Sequence, residues 1–242
     1  MSANERTTVQ AGRFEIPILY EDNHLLIAVK PPNMVVQADH TGDLDILTAL
    51  KRYIGEKYQK PGAVYLGLVH RLDRPVGGVM AFARTSKAAS RLSGQFAGHE
   101  AGKEYLAVAQ GEFHEPMHWI DYLRKEADGM VRVVAPDAPG AKRAVLTTSP
   151  IAAREGLTLT RVQLETGRAH QIRVQHQHAG HPLWGDARYG GGRPGQPIAL
   201  WAHRLTLTHP TKKEPMVFAC LPPSNGAWRM FAPELERIRS RG

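Results

Sequence analysis

Residues 68–79 hold the first side chains that could do chemistry, in the order Leu-Val-His-Arg-Leu-Asp-Arg-Pro-Val-Gly-Gly-Val. Asp73 stands between Arg71 and Arg74, with His70 close by, and positive neighbours favour the ionised form of a carboxylate. An ionised carboxylate beside glycines, where a ligand can approach the backbone, could act as a nucleophile or a general base. The structural alternative is that Asp73 caps a turn or pairs with Arg74.

Residues 164–175 form a second block, rich in hydrogen-bond donors. Arg168, His170 and Gln171 are suited to phosphate groups or to the edges of bases. The first two lie near the start of a candidate helix, where backbone N–H groups also favour anions. The alternative is a solvated helix face with no ligand.

Other kinds of site are disfavoured by spacing. Four histidines occur close together, but none of their separations of six, two and three residues is the four-residue pair that places two imidazoles on one helical face; they are His170, His176, His178 and His181. We therefore expect no metal site. The run Gly190 to Gly192 lacks the Gly-Lys-Ser/Thr ending of a phosphate-binding loop, and no Gly-x-Ser-x-Gly elbow is present. A nucleotide cofactor and a serine hydrolase are both disfavoured.

Composition describes an ordinary globular chain with an excess of positive charge. The 242 residues are 42% hydrophobic, and 31 Lys plus Arg against 23 Asp plus Glu give a formal net charge of +8. No apolar run approaches the roughly 18 residues of a membrane span, and the N-terminus has no apolar signal segment. The single cysteine, Cys220, excludes a disulfide framework. We expect a cytoplasmic protein with no membrane partner, and the charge suggests an anionic partner without proving one.

The elements that must position the two blocks follow from periodicity. Apolar runs and alternating patterns predict strands, and apolar residues at helical spacing predict helices. The strands are 25–29, 79–83, 105–109, 130–134, 144–148, 157–164 and 204–208, and the helices are 45–58 (capped by Asp43), 86–96, 169–179 and 234–239. The order is not a regular βα alternation, so we predict an α+β fold with a large, mixed, mostly antiparallel β-sheet and flanking helices. Residues 1–13 are predicted to be a loose tail and residues 14–242 a single domain.

Taken together, the segments resemble the RluA-type RNA pseudouridine synthases. Four blocks match in order, and they cover about residues 15 to 222. They are Ile18 to Asp22 through Lys30-Pro31; His70-Arg71-Leu72-Asp73; Lys103 to Val108; and Thr166-Gly167-Arg168-Ala169-His170-Gln171-Ile172-Arg173, which continues to Gly180–Leu183 and Gly185–Gly190. The four residues from His70 to Asp73 would be a weak signal by themselves. The last block, about a hundred residues after Asp73, makes the match specific.

The resemblance implies an isomerase that acts on uridine in ribosomal RNA or tRNA and needs no cofactor. It breaks the N1–C1′ bond and rejoins the sugar through C5. By resemblance, Asp73 is the catalytic nucleophile, attacking C1′ or C6 or helping to form a glycal. Tyr105 contacts the target base and is a candidate for proton removal at C5, unless it is a core aromatic. Arg173 pairs with the aspartate, which would keep that carboxylate ionised and oriented.

The resemblance also implies RNA contacts in a central cleft. Arg71 would fill the space left by a flipped-out uridine, with a salt bridge to Asp73 as the alternative. Ile172 would line the uracil pocket, with core packing as the alternative. His70, Arg168, His170 and Gln171 complete the predicted RNA-binding set.

The sequence departs from the family pattern at two places. Val76-Gly77 replaces a pair that usually carries a hydroxyl, and Asn33 stands where the family has glycine, at a turn where Asn tolerates a left-handed conformation. The match begins near Phe14, so we expect no preceding RNA-binding domain of the S4 type, and nothing demands more than a monomer.

Two other functions remain possible on the sequence alone. A catalytically silent RNA-binding protein on the same fold would not require the trio Asp73, Tyr105 and Arg173. A glycosidase would need two paired carboxylates, and the matched blocks offer only Asp73 and a distant Asp186 in a predicted structural turn. Between Arg161 and Lys213, eight Lys or Arg stand against two acidic residues, which fits an RNA partner.

Overall fold

A computed structural model describes residues 7–241 of the chain, which divide into two compact units. The first unit takes in the described part of Met1–Gly102 together with Arg204–Cys220, and the second takes in Lys103–His203 and the described part of Leu221–Gly242. Twelve strands and four α-helices occur within the described range. The α+β class and the mostly antiparallel pairing of the strands are as predicted.

The first unit is a sheet with two helices. Its strands follow the order β1-β2-β3-β5-β11, with β4 added to β5 and β12 added to β11. The bounds are β1 Thr8–Ala11, β2 Phe14–Glu21, β3 Leu25–Lys30, α1 Ile46–Lys57, β4 Gly67–Leu68, β5 Gly77–Ala83, α2 Ser86–Ala97, β11 Leu200–Thr208 (from Arg204 onwards) and β12 Pro215–Ala219. Both β3 and β5 are buried along their whole length, which explains their uninterrupted apolar runs.

The two helices of this unit begin at side-chain caps. The Asp45 carboxylate accepts the backbone N–H of Thr48 at 2.9 Å, so the cap of α1 is Asp45 and not Asp43 as predicted. Two residues of difference is the usual error for a helix boundary taken from periodicity. The hydroxyl oxygen of Thr85 caps α2 in the same way, accepting the N–H of Ala88 at 3.1 Å.

The prediction of a loose tail does not hold where the structure can be inspected. Residues 1–6 lie outside the described residues, but β1 pairs antiparallel with β2, and the amide of Ile18 donates to the carbonyl of Thr7 at 2.8 Å. Val9 and Ala11 are buried. A strand of four residues carries too few alternating positions to be recognised from its sequence.

The strands of the second unit follow the order β6-β10-β9-β7-β8. The bounds are β6 Gly102–Gln110, β7 Met117–Lys125, β8 Val131–Val133, β9 Lys142–Arg154, β10 Leu157–Leu164, α3 Gln171–His178, a 3₁₀ helix Gly226–Phe231 and α4 Ala232–Arg241. The predicted strand 157–164 has the bounds of β10, whereas β9 extends well beyond the predicted 144–148. Residues 190–197 form a loop.

Helix α3 is buried, and not solvated on one face. Every side chain from Gln171 to His176 is buried, so the alternative of a solvated helix face is wrong for this stretch. The helix packs on the sheet through Val174, which lies in a cluster with Leu123 and Ala144, and through His176, whose ring meets that of Trp119 edge-on at 4.8 Å. Because α3 carries polar residues on all of its faces, its sequence did not indicate that it would be buried.

Candidate active site

The loop that carries Asp73 lies between β4 and β5 in the first unit. Asp73 is half-buried and Arg71 is exposed. The carbonyl of Asp73 accepts the N–H of Val76 at 3.0 Å, which closes a turn. Arg74 donates to Asp43 at 2.6 Å, an ion pair in which both side chains are about half exposed. Arg74 thus has an ion-pair partner, Asp43, that lies 31 residues earlier in the chain.

His70 anchors the same loop to the unit's core. Its Nε2 atom accepts the backbone N–H of Ala81 in β5 at 2.9 Å, so the ring proton sits on Nδ1 in the neutral form. The ring stacks on Phe96 of α2, with centroids 4.4 Å apart and planes 16° from parallel. These contacts give His70 a positioning function, and its contact with RNA stays a prediction.

Lys30 is a buried cation beside this loop to which the sequence analysis assigned no function. It ends β3, has no exposed surface, and its ammonium donates to the carbonyls of Pro31, Met34 and Arg74 at 2.9, 2.7 and 3.0 Å. Burial lowers the pKa of Lys30 to about 7, although the nearby charge of Asp73 opposes this effect. The bond to Arg74 ties the loop at the residue that follows Asp73.

Arg173, in the second unit, forms a buried bidentate ion pair. Its Nε donates to Oδ2 of Asp186 at 2.8 Å and its Nη2 donates to Oδ1 at 2.7 Å. The side chains are 7% and 0% exposed. Burial would raise the pKa of Asp186, but the hydrogen bonds and charge of Arg173 bring it below the ordinary value. Asp186 therefore stays ionised, which removes it as the proton-donating carboxyl that a glycosidase needs.

Asp186 also holds the turn that was predicted for it. Its Oδ1 accepts the backbone N–H groups of Arg188 and Tyr189 at 2.9 and 3.1 Å. The sequence thus located the turn but not its partner Arg173, thirteen residues away. The pairing of Arg173 with Asp73 stays a prediction from the resemblance.

Tyr189 connects Arg173 with His170. The guanidinium of Arg173 lies over the Tyr189 ring at 5.1 Å from its centroid. The Tyr189 hydroxyl accepts the N–H of Val131 at 3.0 Å and bonds Nδ1 of His170 at 2.7 Å. His170 is half-buried and left-handed, with φ 53°, at the start of α3. Its imidazole is thus held by Tyr189, and its contact with RNA stays a prediction.

Gln171 requires a correction, because its side chain does not reach solvent. It is 3% exposed, and its Oε1 accepts from the hydroxyl of Thr166 at 2.8 Å and from the N–H of Arg168 at 3.0 Å. Its Nε2 donates to the carbonyl of Val145 at 3.0 Å. The amide is occupied in holding the loop before α3, so Gln171 positions Arg168 and is not itself placed to bind RNA.

Tyr105 and Ile172 both lie in buried positions of the second unit. Tyr105 stands in β6 opposite Val162 of β10, with 9% of its surface exposed. Ile172 is 5% exposed, and its carbonyl accepts a hydrogen bond from Nδ1 of His176 at 2.8 Å. Their packing is compatible with the core alternatives, and their contacts with a uracil ring stay predictions.

Between residues 7 and 241, no three His, Cys, Asp or Glu side chains are grouped so that they could hold a metal ion. Within that same range, no helix has the length and apolar character needed to cross a membrane.

Comparison with known proteins gives consistent matches. Residues 24–178 match the family described as RNA pseudouridylate synthase. The ribosomal large subunit pseudouridine synthase C of Vibrio vulnificus is 33% identical over 82% of this chain and 63% of its own length. The tRNA pseudouridine synthase C of Vibrio cholerae is 31% identical over 84% of this chain and 89% of its own. The chain thus spans less than two thirds of the first relative.

A solved structure has the same fold. Human RNA Pseudouridylate Synthase Domain Containing 4 superposes with a TM-score of 0.70 at 23% sequence identity, covering 92% of each chain. At 23% sequence identity, this similarity is evidence about the fold alone.

Proposed function

The chain belongs to the RNA pseudouridylate synthase family, and from this premise we propose that it converts uridine in RNA to pseudouridine. The observation that carries the proposal is the extent of the family match. It spans residues 24–178, a range that contains Asp73, Tyr105 and Arg173, to which the resemblance assigns catalysis. A protein that only binds RNA would not require these three residues together.

The reaction moves one bond within a nucleotide. The N1–C1′ bond breaks, the base turns, a C5–C1′ bond forms, and the proton on C5 leaves while N1 gains one. We assign the central catalytic role to Asp73, which attacks C1′ or C6 as a nucleophile or helps to form a glycal. Tyr105 contacts the uracil and takes part in the proton removal at C5, and Arg173 keeps the carboxylate of Asp73 oriented.

Access to the uridine requires that it leave the base stack. Unstacking costs a few kcal/mol, and a planar guanidinium can fill the space that the base vacates. The exposure of Arg71 supports giving it this role. The substrate is ribosomal RNA or tRNA, since relatives named for each match this chain at similar identity.

Tritium release tests the proposal. RNA transcripts carrying tritium at C5 of uridine are incubated with the wild type, with Asp73→Asn and with Asp128→Asn, which alters an exposed carboxylate. We expect the wild type and Asp128→Asn to release tritium and Asp73→Asn to release at least about a thousandfold less, since covalent catalysis is lost while shape is kept.

The other outcomes contradict the proposal in distinct ways. Equal release by Asp73→Asn would show that the nucleophile is another residue. Binding of ribosomal RNA and tRNA without release from any transcript would identify a catalytically silent RNA-binding protein. Urea unfolding of each variant shows whether a loss of release reflects a loss of structure.

A further inference from the structure

Lys103, at the start of β6, places its ammonium against the backbone of Gly167. A Cβ atom built on Gly167 would lie 2.9 Å from Nζ of Lys103, closer than real Cβ atoms come to other atoms. Gly167 is not among the glycines with positive φ, so its conformation does not require glycine. The missing side chain instead leaves room for the ammonium group of Lys103.

The loop that contains Gly167 is held rigidly to β9. The Thr166 hydroxyl accepts the N–H of Val145 at 2.8 Å, and the amide of Gln171 bonds Thr166, Arg168 and Val145 at the distances given above. Arg168 adds a bond from Nε to the carbonyl of Arg143 at 2.9 Å. The Arg168 side chain is therefore fixed at its Nε atom while the residue stays exposed to solvent.

This arrangement places Lys103 close enough to Arg168 for their two positive charges to act on each other. Burial and the charge of Arg168 both lower the pKa of half-buried Lys103. The two acidic residues closest in sequence are engaged elsewhere: Glu104 with Arg161 at 3.2 Å, and Glu165 with His118 at 3.9 Å. The repulsion between two neighbouring cations costs free energy, which a bound anion would offset.

We propose that Lys103 and Arg168 together bind one phosphate group of the RNA backbone. This inference rests on the proposed function, because RNA supplies the phosphate. Lysine acts as a compact point charge and arginine offers a fork of N–H donors, a combination suited to phosphate oxygens. Phosphate contacts set the register of RNA on a protein and carry no sequence information. The pair would thus position the strand without selecting the uridine.

The dependence of RNA binding on salt tests the proposal. Fluorescent ribosomal RNA and tRNA transcripts are titrated with the wild type, Lys103→Met, and Lys87→Met, which removes an exposed lysine of α2. The logarithm of affinity is plotted against the logarithm of salt concentration between 50 and 200 mM. We expect Lys103→Met to bind about tenfold more weakly at low salt and to reduce the slope by about 0.7–0.9, which is the loss of one phosphate contact. Lys87→Met should match the wild type.

Gly167→Ala gives a second test that leaves every charge in place. The added methyl group must push the flexible end of Lys103 aside, which is possible without unfolding. We expect weaker RNA binding, and no further weakening when Lys103→Met is added to Gly167→Ala, because both changes remove the same contact.

The inference would be overturned if Lys103→Met bound RNA with the same affinity, and the same dependence of affinity on salt, as Lys87→Met. Failure of the proposed function is a separate result: the wild type would release no tritium, while Lys103→Met would still change the slope. A wild type that binds no RNA at all would overturn both.

Discussion

Lys30 and Arg173 are both buried cations, and each is satisfied by a different kind of acceptor. Three backbone carbonyls accept from Lys30, whereas the carboxylate of Asp186 accepts twice from Arg173. Burial dominates the pKa of Lys30 although the charge of Asp73 opposes it, whereas the hydrogen bonds and charge of Arg173 outweigh the effect of burial on the pKa of Asp186. Lys30 is pushed toward neutrality, and Asp186 is held ionised.

Asp186→Asn should be strongly destabilising because it removes the negative charge from the buried, bidentate contact with Arg173. We expect the free energy of unfolding to fall by about 3 kcal/mol or more. The matched control is Asp128→Asn, whose partner Arg132 is exposed and whose ion pair is expected to contribute less than about 1 kcal/mol. Urea unfolding of both variants measures the difference, and equal losses would mean that the buried pair contributes no more than the exposed one.

At the scale of elements, α3 depends on burial and not on capping. His170 makes no side-chain hydrogen bond as its N-cap, and six successive side chains are buried. His176 is at the centre of this stretch, fully buried, with Nδ1 bonded to the carbonyl of Ile172. Burial lowers the pKa of His176 to about 4, from an ordinary value of 6.5.

The depressed pKa of His176 predicts a loss of stability in mild acid. Between pH 6.5 and 4 the unfolded chain takes up a proton at this histidine and the folded chain does not, so stability falls as the pH falls. This group should contribute a slope of up to about 1.4 kcal/mol per pH unit. Urea unfolding at pH 4.5 and 7 should show a smaller pH effect for His176→Gln than for the wild type.

His178→Gln is the control, because it alters an exposed histidine of the same helix. It should keep the pH dependence of the wild type. If both variants behave alike, the acid sensitivity comes from other groups.

The turn that carries Asp186 depends on Gly185 for space as well as for conformation. Gly185 and Gly191 both have positive φ, +75° and +70°, but a Cβ on Gly185 would collide with the carbonyl oxygen of Pro197 while one on Gly191 would meet nothing within 4 Å. Gly191→Ala should cost about 1 kcal/mol from strain alone, and Gly185→Ala at least about 2 kcal/mol more. Chemical unfolding compares them, and similar losses would show that the loop moves away freely.

At the scale of the whole molecule, the net charge of +8 is unevenly distributed along the chain. The stretch from Arg161 to Lys213, with eight basic and two acidic residues, contains α3, Arg168 and the turn of Asp186. Charge of this kind attracts RNA irrespective of sequence.

RNA affinity of the wild type should therefore fall steeply with salt. For about five phosphate contacts, a rise from 50 to 200 mM salt should weaken binding roughly a hundredfold or more. Binding titrations at four salt concentrations give the slope and so the number of contacts. An affinity independent of salt would mean that the basic residues do not meet the RNA backbone.

Some features could be predicted because their signal is local. The alternation of Leu157–Leu164 predicted β10 with the bounds it has, and Asn33 adopts the left-handed conformation that its turn requires, with φ 64°. Strands β1, β2, β4, β7 and β12 were not predicted: β1 and β4 are short, and β2 and β7 carry charged or aromatic residues on partly exposed faces. Partial burial weakens the alternation on which the prediction depends.

By itself, the sequence determined the class of fold, most of the buried elements and the blocks that mark the family, because periodicity and short motifs are written in neighbouring residues. Only the tertiary structure decided the partners of the polar side chains. It paired Arg173 with Asp186, joined Lys30 to the Asp73 loop, turned Gln171 inward and set Lys103 against Gly167. Each of these contacts joins residues that are distant in sequence or that had several possible partners, and the choice depends on which groups are buried together when the chain folds.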